Sequence, residues 1–223
     1  MKSYRSQSGV QSAEFGHRYY SSLRPEMAEL LTAPVRRILD VGCGNGAFAA
    51  GLKKSGIASE VWGIEIFESV ASEASSVLDK VLVGDAASQI ENLPTGYFDA
   101  IFFNDSLEHM VDPYTVLSDI KRSLVPGGLI IASLPNVRHI RTLFELLIKK
   151  DWHYRDQGVL DRTHLRFFTQ KSARRMFEDA GLIVEVTKGI EPTKQWLLYL
   201  LNFMTFKLFD DTLYYQFAWR MRI

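Results

Sequence analysis

The residues most able to do chemistry fall into two groups. LDVGCGNG (39–46) ends an apolar run in G-x-G-x-G. Glycines there let a ligand lie against the backbone, in space that a side chain on Gly42 or Gly44 would take. Exposed amides at the start of a following helix suit a carboxylate or a phosphate equally. Glu65 follows Gly46 by 19 residues, where an acidic side chain can accept both hydroxyls of a ribose. These residues fit any adenosine-containing cofactor. The second group is DSLEHM (105–110), with Asp105, Glu108 and His109 at i, i+3 and i+4. A helical turn would project all three from one face. Two carboxylates and an imidazole suit a divalent metal. They equally suit ordering a substrate face by hydrogen bonds.

The elements that must position these groups can be read along the chain. Polar residues dominate to about Gly16, as in a loose arm, and a short helix from Arg24 to Leu31 ends near Pro34. RRILDV (36–41) reads as a buried strand, followed by a helix from Ala47 to Lys54. EVWGIEI (60–66), KVLVGD (80–85) and YFDAIFFND (97–105) are further strands, with a helix from Glu68 to Val77 between the first two. Asp112-Pro113 caps and opens a helix to about Leu124, with proline where its missing donor costs nothing. Pro126-Gly127-Gly128 turns the chain into a fifth strand, 128–135. Residues 136–168 break the alternation and read as an insertion covering a substrate. Thr169 N-caps a helix bearing Ala173, Met176, Phe177 and Ala180 on one face, stopped by Gly181. A strand at 182–190, a helical run at 193–209 and a last strand at 212–222 complete the chain. Such alternation implies a doubly wound α/β fold, with a parallel sheet covered by helices on both faces. Ligands then sit at the carboxyl ends of the strands, near the switch point. The expected organisation is one domain: arm or lid 1–33, cofactor-binding core 34–135, substrate cap 136–168 and C-terminal part 169–223.

Nicotinamide and flavin sites usually show G-x-G-x-x-G, and here the third glycine arrives one position early. LDVGCGNG, preceded by basic residues, resembles motif I of class I S-adenosylmethionine (SAM)-dependent methyltransferases. Glu65 after strand two, GDA (84–86) after strand three and PGG (126–128) before strand five agree with that family. The resemblance spans about residues 17–222. It implies a Rossmann-like, seven-stranded, mostly parallel sheet whose antiparallel last strand is YYQFAWRM, with SAM as cofactor and S-adenosylhomocysteine as product. It also implies that Asp85 contacts the adenine amine with the Ala86 amide nearby. Asn104 would lie beside the methionyl part, and Asp40 would orient the loop or the cofactor amine. The cofactor set is then Asp40, Gly42, Cys43, Gly44, Gly46, Glu65, Ile66, Asp85, Ala86 and Asn104. His17, Tyr19 and Tyr20 stand where the family has an N-terminal lid.

Methyl transfer from a sulfonium is an in-line displacement that needs no enzyme nucleophile. The enzyme supplies alignment, and a base where the acceptor hydroxyl is poorly acidic. D-x-x-E-H at 105–109 resembles the E-x-x-E-H ligand set of ubiquinone-biosynthesis and small-RNA O-methyltransferases, with Asp105 for the first glutamate. The L-E-H core also occurs in class I methyltransferases that use no metal, and the metal-free reading is preferred. PNVRH (135–139), KKDWHYRDQGVLDRTHLRFFT (149–169) and LEH together resemble a bacterial subfamily associated with glycosyltransferases and polysaccharide or O-antigen synthesis. On that resemblance His164 is the first candidate for general base, because an imidazole titrating near 6.5 can take a proton at working pH. His109 and Asp105 are further catalytic candidates. Asp161 could orient His164, and Arg166 could hold an acceptor carboxylate or phosphate by bidentate contacts. Trp152 and Tyr154 could stack on a sugar, and His139 and Arg141 could line the mouth of the insertion. The competing reading makes His164 a core histidine tying the insertion to the sheet, Arg166 a salt-bridge partner and the aromatics packing. The expected reaction is O-methylation of a sugar hydroxyl in a glycan. The alternatives are a quinone-like phenol as acceptor, or a non-catalytic methyltransferase-fold subunit.

Bulk properties narrow the partners. Lys+Arg and Asp+Glu both number 26 in 223 residues, so net charge gives no steering towards nucleic acid. Cys43 is the only cysteine, which excludes an internal disulfide and cysteine-rich zinc sites. The first twenty residues lack the apolar core of a signal peptide, and the expected compartment is the cytoplasm. QWLLYLLNFMTFKLF (195–209) is almost wholly apolar yet shorter than the roughly 20 residues that span a bilayer. It is expected to pack on the fold or on a second subunit, with attachment to a membrane surface as the other reading. The oligomeric state is left open.

Overall fold

The computed structural model describes residues 24–223; His17, Tyr19 and Tyr20 lie outside them. The elements are α1 (Pro25–Ala28), β1 (Val35–Val41), α2 (Ala47–Lys54), β2 (Ala58–Glu65), α3 (Glu68–Ala74), β3 (Lys80–Val83), α4 (Ala86–Gln89) and β4 (Phe98–Asn104). They continue with α5 (Pro113–Ile120), β5 (Leu124–Pro135), α6 (Ile140–Leu147), α7 (Gln170–Asp179), β6 (Ile183–Pro192), α8 (Trp196–Met204) and β7 (Tyr214–Arg222). The strands form one sheet in the order β3-β2-β1-β4-β5-β7-β6. The first five are parallel, and β7 lies antiparallel between β5 and β6.

Alternation along the strands divides the core in two. Leu39, Ile101, Phe103, Ile130 and Ala132 face one layer with Leu117 of α5 and Phe177 of α7. Ile38, Ala100, Phe102 and Ile131 face the other, with Phe48 and Leu52 of α2. Strands buried on both faces are what a parallel sheet between helices requires. The order reverses between β1 and β4, so their carboxyl ends diverge and open the crevice where ligands bind in such sheets.

Some expectations need correction. Pro126-Gly127-Gly128 does not precede β5 but lies within it. The pairing with β4 jumps from Phe98–Leu124 to Ala100–Leu129, and Gly127 at φ +77° absorbs the bulge. The helix after Asp112 ends at Ile120, with a 3₁₀ turn over Lys121–Ser123. The apolar run at 193–209 is helical only over α8. Phe206 and Lys207 take left-handed φ of +54° and +62°, which ends any helix. Nor does this run pack wholly on the fold: Trp196, Phe203 and Met204 are each about two-thirds exposed or more. No helix among the described residues is long and apolar enough to cross a membrane.

Candidate functional site

Both chemical groups lie at the crevice. The glycine loop continues the pairing of β1, because the amides of Gly42 and Cys43 donate to the Ile64 carbonyl at 2.8 and 3.0 Å. Gly42, Gly44 and Gly46 all have positive φ. A Cβ on Gly42 would stand 2.7 Å from Ser106 Cβ. The end of β4, as well as any ligand, therefore demands glycine there. The Cys43 thiol is buried in the core beneath the loop, where burial pushes its pKa up and keeps it neutral. Only its backbone is left to the loop.

Glu65, buried at the end of β2, is held by amides: Gly44 donates to Oε2 and Phe67 to Oε1, each at 3.0 Å. A carboxylate has about four acceptor positions, so each oxygen keeps one for a ribose hydroxyl. Ile66 is exposed beside it. At the end of β3, exposed Asp85 caps α4 by accepting from the Ala87 amide at 3.2 Å, above buried Ala86. Asp40 is fully enclosed, and Asn104 Nδ2 donates to its Oδ1 at 3.2 Å. Burial raises the Asp40 pKa to about 7, with a push from Glu65 opposed by the Asn104 hydrogen bond and the Arg24 charge.

The segment after β4 holds an unusual density of unpartnered polar atoms. Asn104 Oδ1, Ser106 Oγ and both oxygens of Glu108 are buried without a hydrogen-bond partner among the described residues. Buried polar groups normally find partners, so four orphans in five residues mark a surface shaped for a ligand. The methionyl end of SAM fits it: Asp40 and Asn104 Oδ1 would receive its ammonium, and Glu65 would hold the ribose.

DSLEHM does not form the single face expected of it. Asp105, at φ +50°, precedes a 3₁₀ turn over Leu107–His109. Its carboxylate accepts from Arg24 Nη1 and Ser133 Oγ, both at 2.6 Å, and from Gln216 Nε2 at 3.1 Å. With those oxygens occupied, Asp105 clamps α1, β4, β5 and β7 together. His164 takes its place: one donor atom each from Glu108, His109 and His164 lies within 4.8 Å of the others. Among the described residues those three, without Asp105, form the group that could hold a metal.

The cap brings His164 there through the backbone. The amides of Leu165 and Arg166 donate to the Glu108 carbonyl at 2.8 and 3.1 Å, joining the LEH and THLR motifs. His164 is buried, and its Nδ1 lies 3.1 Å from the Val159 carbonyl. A carbonyl only accepts, so the proton is on Nδ1 and the Nε2 lone pair is free. Nε2 points towards Glu108 Oε1, 3.9 Å away. Asp161, expected to orient this ring, accepts from the His164 amide through its carbonyl at 3.1 Å and reaches His109 through its carboxylate. Thr163 Oγ1 donates to Asp161 Oδ1 at 2.6 Å and accepts from His109 Nδ1 at 3.1 Å. Both imidazoles thus present Nε2 lone pairs, their rings edge to face at 4.8 Å. Burial drives the Glu108 pKa well up, aided by the charge of Asp105. Burial, with His109 nearby, pushes the His164 pKa down.

Other expected acceptor residues fall differently. Arg166 donates to the Val111 carbonyl at 2.6 Å and to the Leu165 carbonyl at 3.1 Å, so two of its nitrogens brace backbone where a bidentate anion contact was expected. Arg141 is exposed and pairs with Glu145 at 3.7 Å. His139 stacks edge-on against Tyr215, with Nδ1 buried and unpartnered. Trp152 and Tyr154 pack on Phe167 with centroids 5.3 and 6.2 Å apart, and His164 meets the same ring at 6.2 Å. Phe167, Arg24 and Thr163 were not singled out from sequence. Phe167 sits inside the recognised LDRTHLRFFT string, which was the available signal; Arg24 had none, being 81 residues from Asp105.

A doubly wound sheet with this strand order, a glycine loop, a buried acid at the end of β2 and an orphaned polar lining fits a SAM-dependent methyltransferase. A family model described as a methyltransferase domain matches residues 12–186, and the chain belongs to that family. Among curated relatives, a ubiquinone biosynthesis O-methyltransferase of Alkalilimnicola ehrlichii is 32% identical over 186 residues, covering 79% of this chain and 70% of its own. The Neisseria meningitidis serogroup A protein of the same name is 28% identical over 194 residues, covering 83% and 77%. Among solved structures, a SAM-dependent methyltransferase from Archaeoglobus fulgidus superposes with TM-score 0.69 at 20% identity, over 98% of this chain and all of that one. One from Mesorhizobium loti gives 0.63 at 19% identity, over 89% and 96%. These two share the fold.

Proposed function

We propose that this methyltransferase acts on a hydroxyl oxygen of a small, quinone-like phenol, with His164 as general base. The observation that carries the reading is the convergence of two imidazoles with free Nε2 atoms on a buried carboxyl beside the cofactor crevice. When bound, SAM supplies an electrophilic methyl group on a sulfonium and departs as the neutral thioether. His164 Nε2 takes the proton from the acceptor hydroxyl as its oxygen bonds to the methyl carbon. The Val159 carbonyl fixes the tautomer and steadies the imidazolium that forms. Burial of Glu108 favours its protonated form, which can donate a hydrogen bond to the acceptor. The cap, joined to the LEH turn, excludes water.

Acidity favours a phenol, which ionises near 10 like tyrosine, over a sugar hydroxyl, which is far less acidic. The names of the relatives support the same choice. A sugar hydroxyl is the second reading, favoured by Trp152 and Tyr154, whose rings gather at Phe167 in the cap.

The test is methyl transfer from labelled SAM to a catechol and to a methyl glycoside. Catechol methylation supports the phenolic reading, and methylation of the glycoside alone replaces it with the sugar reading. Transfer to neither, with S-adenosylhomocysteine still bound, favours a binding subunit. His164→Asn, which keeps a donor towards Val159, should lower kcat by about 10²-fold or more while leaving S-adenosylhomocysteine binding intact.

A further inference from the structure

The start of β7 reaches both halves of the acceptor site. Because β7 runs antiparallel, its first residues lie beside the carboxyl end of β5, where Pro135 pairs with Gln216. Gln216 Nε2 donates to Asp105 Oδ2 at 3.1 Å, just ahead of the LEH turn. Tyr215, its neighbour, reaches the cap: Oη accepts from the Val159 amide at 3.2 Å. That approach needs a glycine in the cap. A Cβ on Gly158 would stand 2.5 Å from the Tyr215 oxygen, and Gly158 has a φ of +98° that disfavours any side chain.

Val159 passes this contact on to His164. Its amide is held by Tyr215, and its carbonyl receives His164 Nδ1 at 3.1 Å. The loop around it is tightly closed: the Arg155 amide donates to the Leu160 carbonyl at 2.9 Å, and the Asp161 amide to the Gly158 carbonyl at 3.0 Å. Val159 and His164 are both buried. The ring's other neighbours do not fix which way it faces. His109 and Phe167 meet it edge to face, with centroids at 4.8 and 6.2 Å. Such contacts change little when an imidazole turns through half a revolution about its bond to Cβ. That turn exchanges each ring nitrogen with a carbon, and it would take the Nε2 lone pair away from Glu108. Among the described residues, the Val159 carbonyl is the hydrogen-bond partner that tells the two orientations apart. We infer that Tyr215 is a positioning residue for methyl transfer: through the Val159 backbone it holds the His164 ring so that Nε2 faces the acceptor oxygen. The inference rests on the reading of His164 as general base, and it gives β7 a part in the chemistry.

Tyr215→Phe in the full chain tests this with two readouts. In steady-state methylation of catechol, kcat should fall about tenfold, as misplacing a reacting group does, while S-adenosylhomocysteine affinity is unchanged and reports correct folding. Arg155→Gln is the comparison, because it frees the cap from Glu145 and leaves the Val159 backbone alone. It should raise KM for catechol without lowering kcat. The second readout is the low-field NMR signal of the His164 Nδ1 proton, identified by its loss in His164→Asn. Wild type and Arg155→Gln should show it, and in Tyr215→Phe it should broaden or vanish by exchange. This comparison needs no acceptor and tests the tie even where catechol is not methylated. A wild-type kcat in Tyr215→Phe overturns the inference, and so does an Nδ1 signal as sharp as that of wild type. Wild-type turnover in His164→Asn is the separate result that sinks the general-base reading, and this inference with it.

Discussion

Asp40 and Glu108 are carboxyl groups that the fold keeps from water, and their protons give two measurable consequences. Glu108 ionises near 4.5 when unfolded and well above that when folded. Below the unfolded value both states hold the proton and stability is at its fullest. As pH rises towards the folded value only the unfolded state loses it, and stability falls by up to about 1.4 kcal/mol per pH unit. Glu108→Gln should therefore raise Tm at about pH 8, with the gain shrinking towards pH 4. Asp40, poised at about 7, should release a proton when the cofactor ammonium arrives. Calorimetry of S-adenosylhomocysteine binding in buffers of differing ionisation enthalpy, near neutrality, should show that release, and Asp40→Asn should abolish it. At His164 burial lowers the pKa, so kcat/KM should stay flat through neutrality and fall only below the usual imidazole range. Glu65 and the glycines were legible in the sequence because their geometry is local to one βαβ unit. The Arg24–Asp105 clamp was not, since a side chain's choice between a metal and an arginine 81 positions away is made by the assembled sheet.

Among elements, those with a signal at both ends were read most closely. Thr169 caps α7 as its type suggested, in a reciprocal capping box with Ser172, and Gly181 follows the helix at φ +76°. Thr169→Ala should cost about 1 kcal/mol in urea unfolding without touching cofactor affinity. α2 starts at the glycine loop and ends as expected at Lys54. The Pro126–Gly128 bulge was misread because proline and two glycines are a turn signal in isolation, whereas strand pairing on either side overrides it. The helix expected over 193–209 is shorter, Trp196–Met204, because Phe206 and Lys207 take left-handed φ. An apolar sequence says that something will cover it, but not whether its own fold does.

At the scale of the molecule, the orphaned atoms at the end of β4 and the cap above them belong to one arrangement. β1 and β4 diverge, the LEH turn follows β4, and residues 161–166 return over it through two hydrogen bonds to Glu108. Gly158 lies against the Tyr215 hydroxyl, whose oxygen also accepts from the Val159 amide at 3.2 Å. The cap thus leans on β7, and Tyr215→Phe should loosen it, raising KM for the acceptor more than for SAM in steady-state kinetics. The position of β7 carries a further consequence, for the order in which the protein can come into being. This strand follows every other element in the chain, yet it lies inside the sheet, with β5 on one side and β6 on the other. During synthesis the parallel half can assemble early, while β6 has nothing to pair with and an edge of β5 lies open until the residues of β7 have left the ribosome. Nascent chains of this protein therefore carry unsatisfied edges on β5 and β6 from the emergence of β6 until that of β7, an interval in which a chaperone has most to shield.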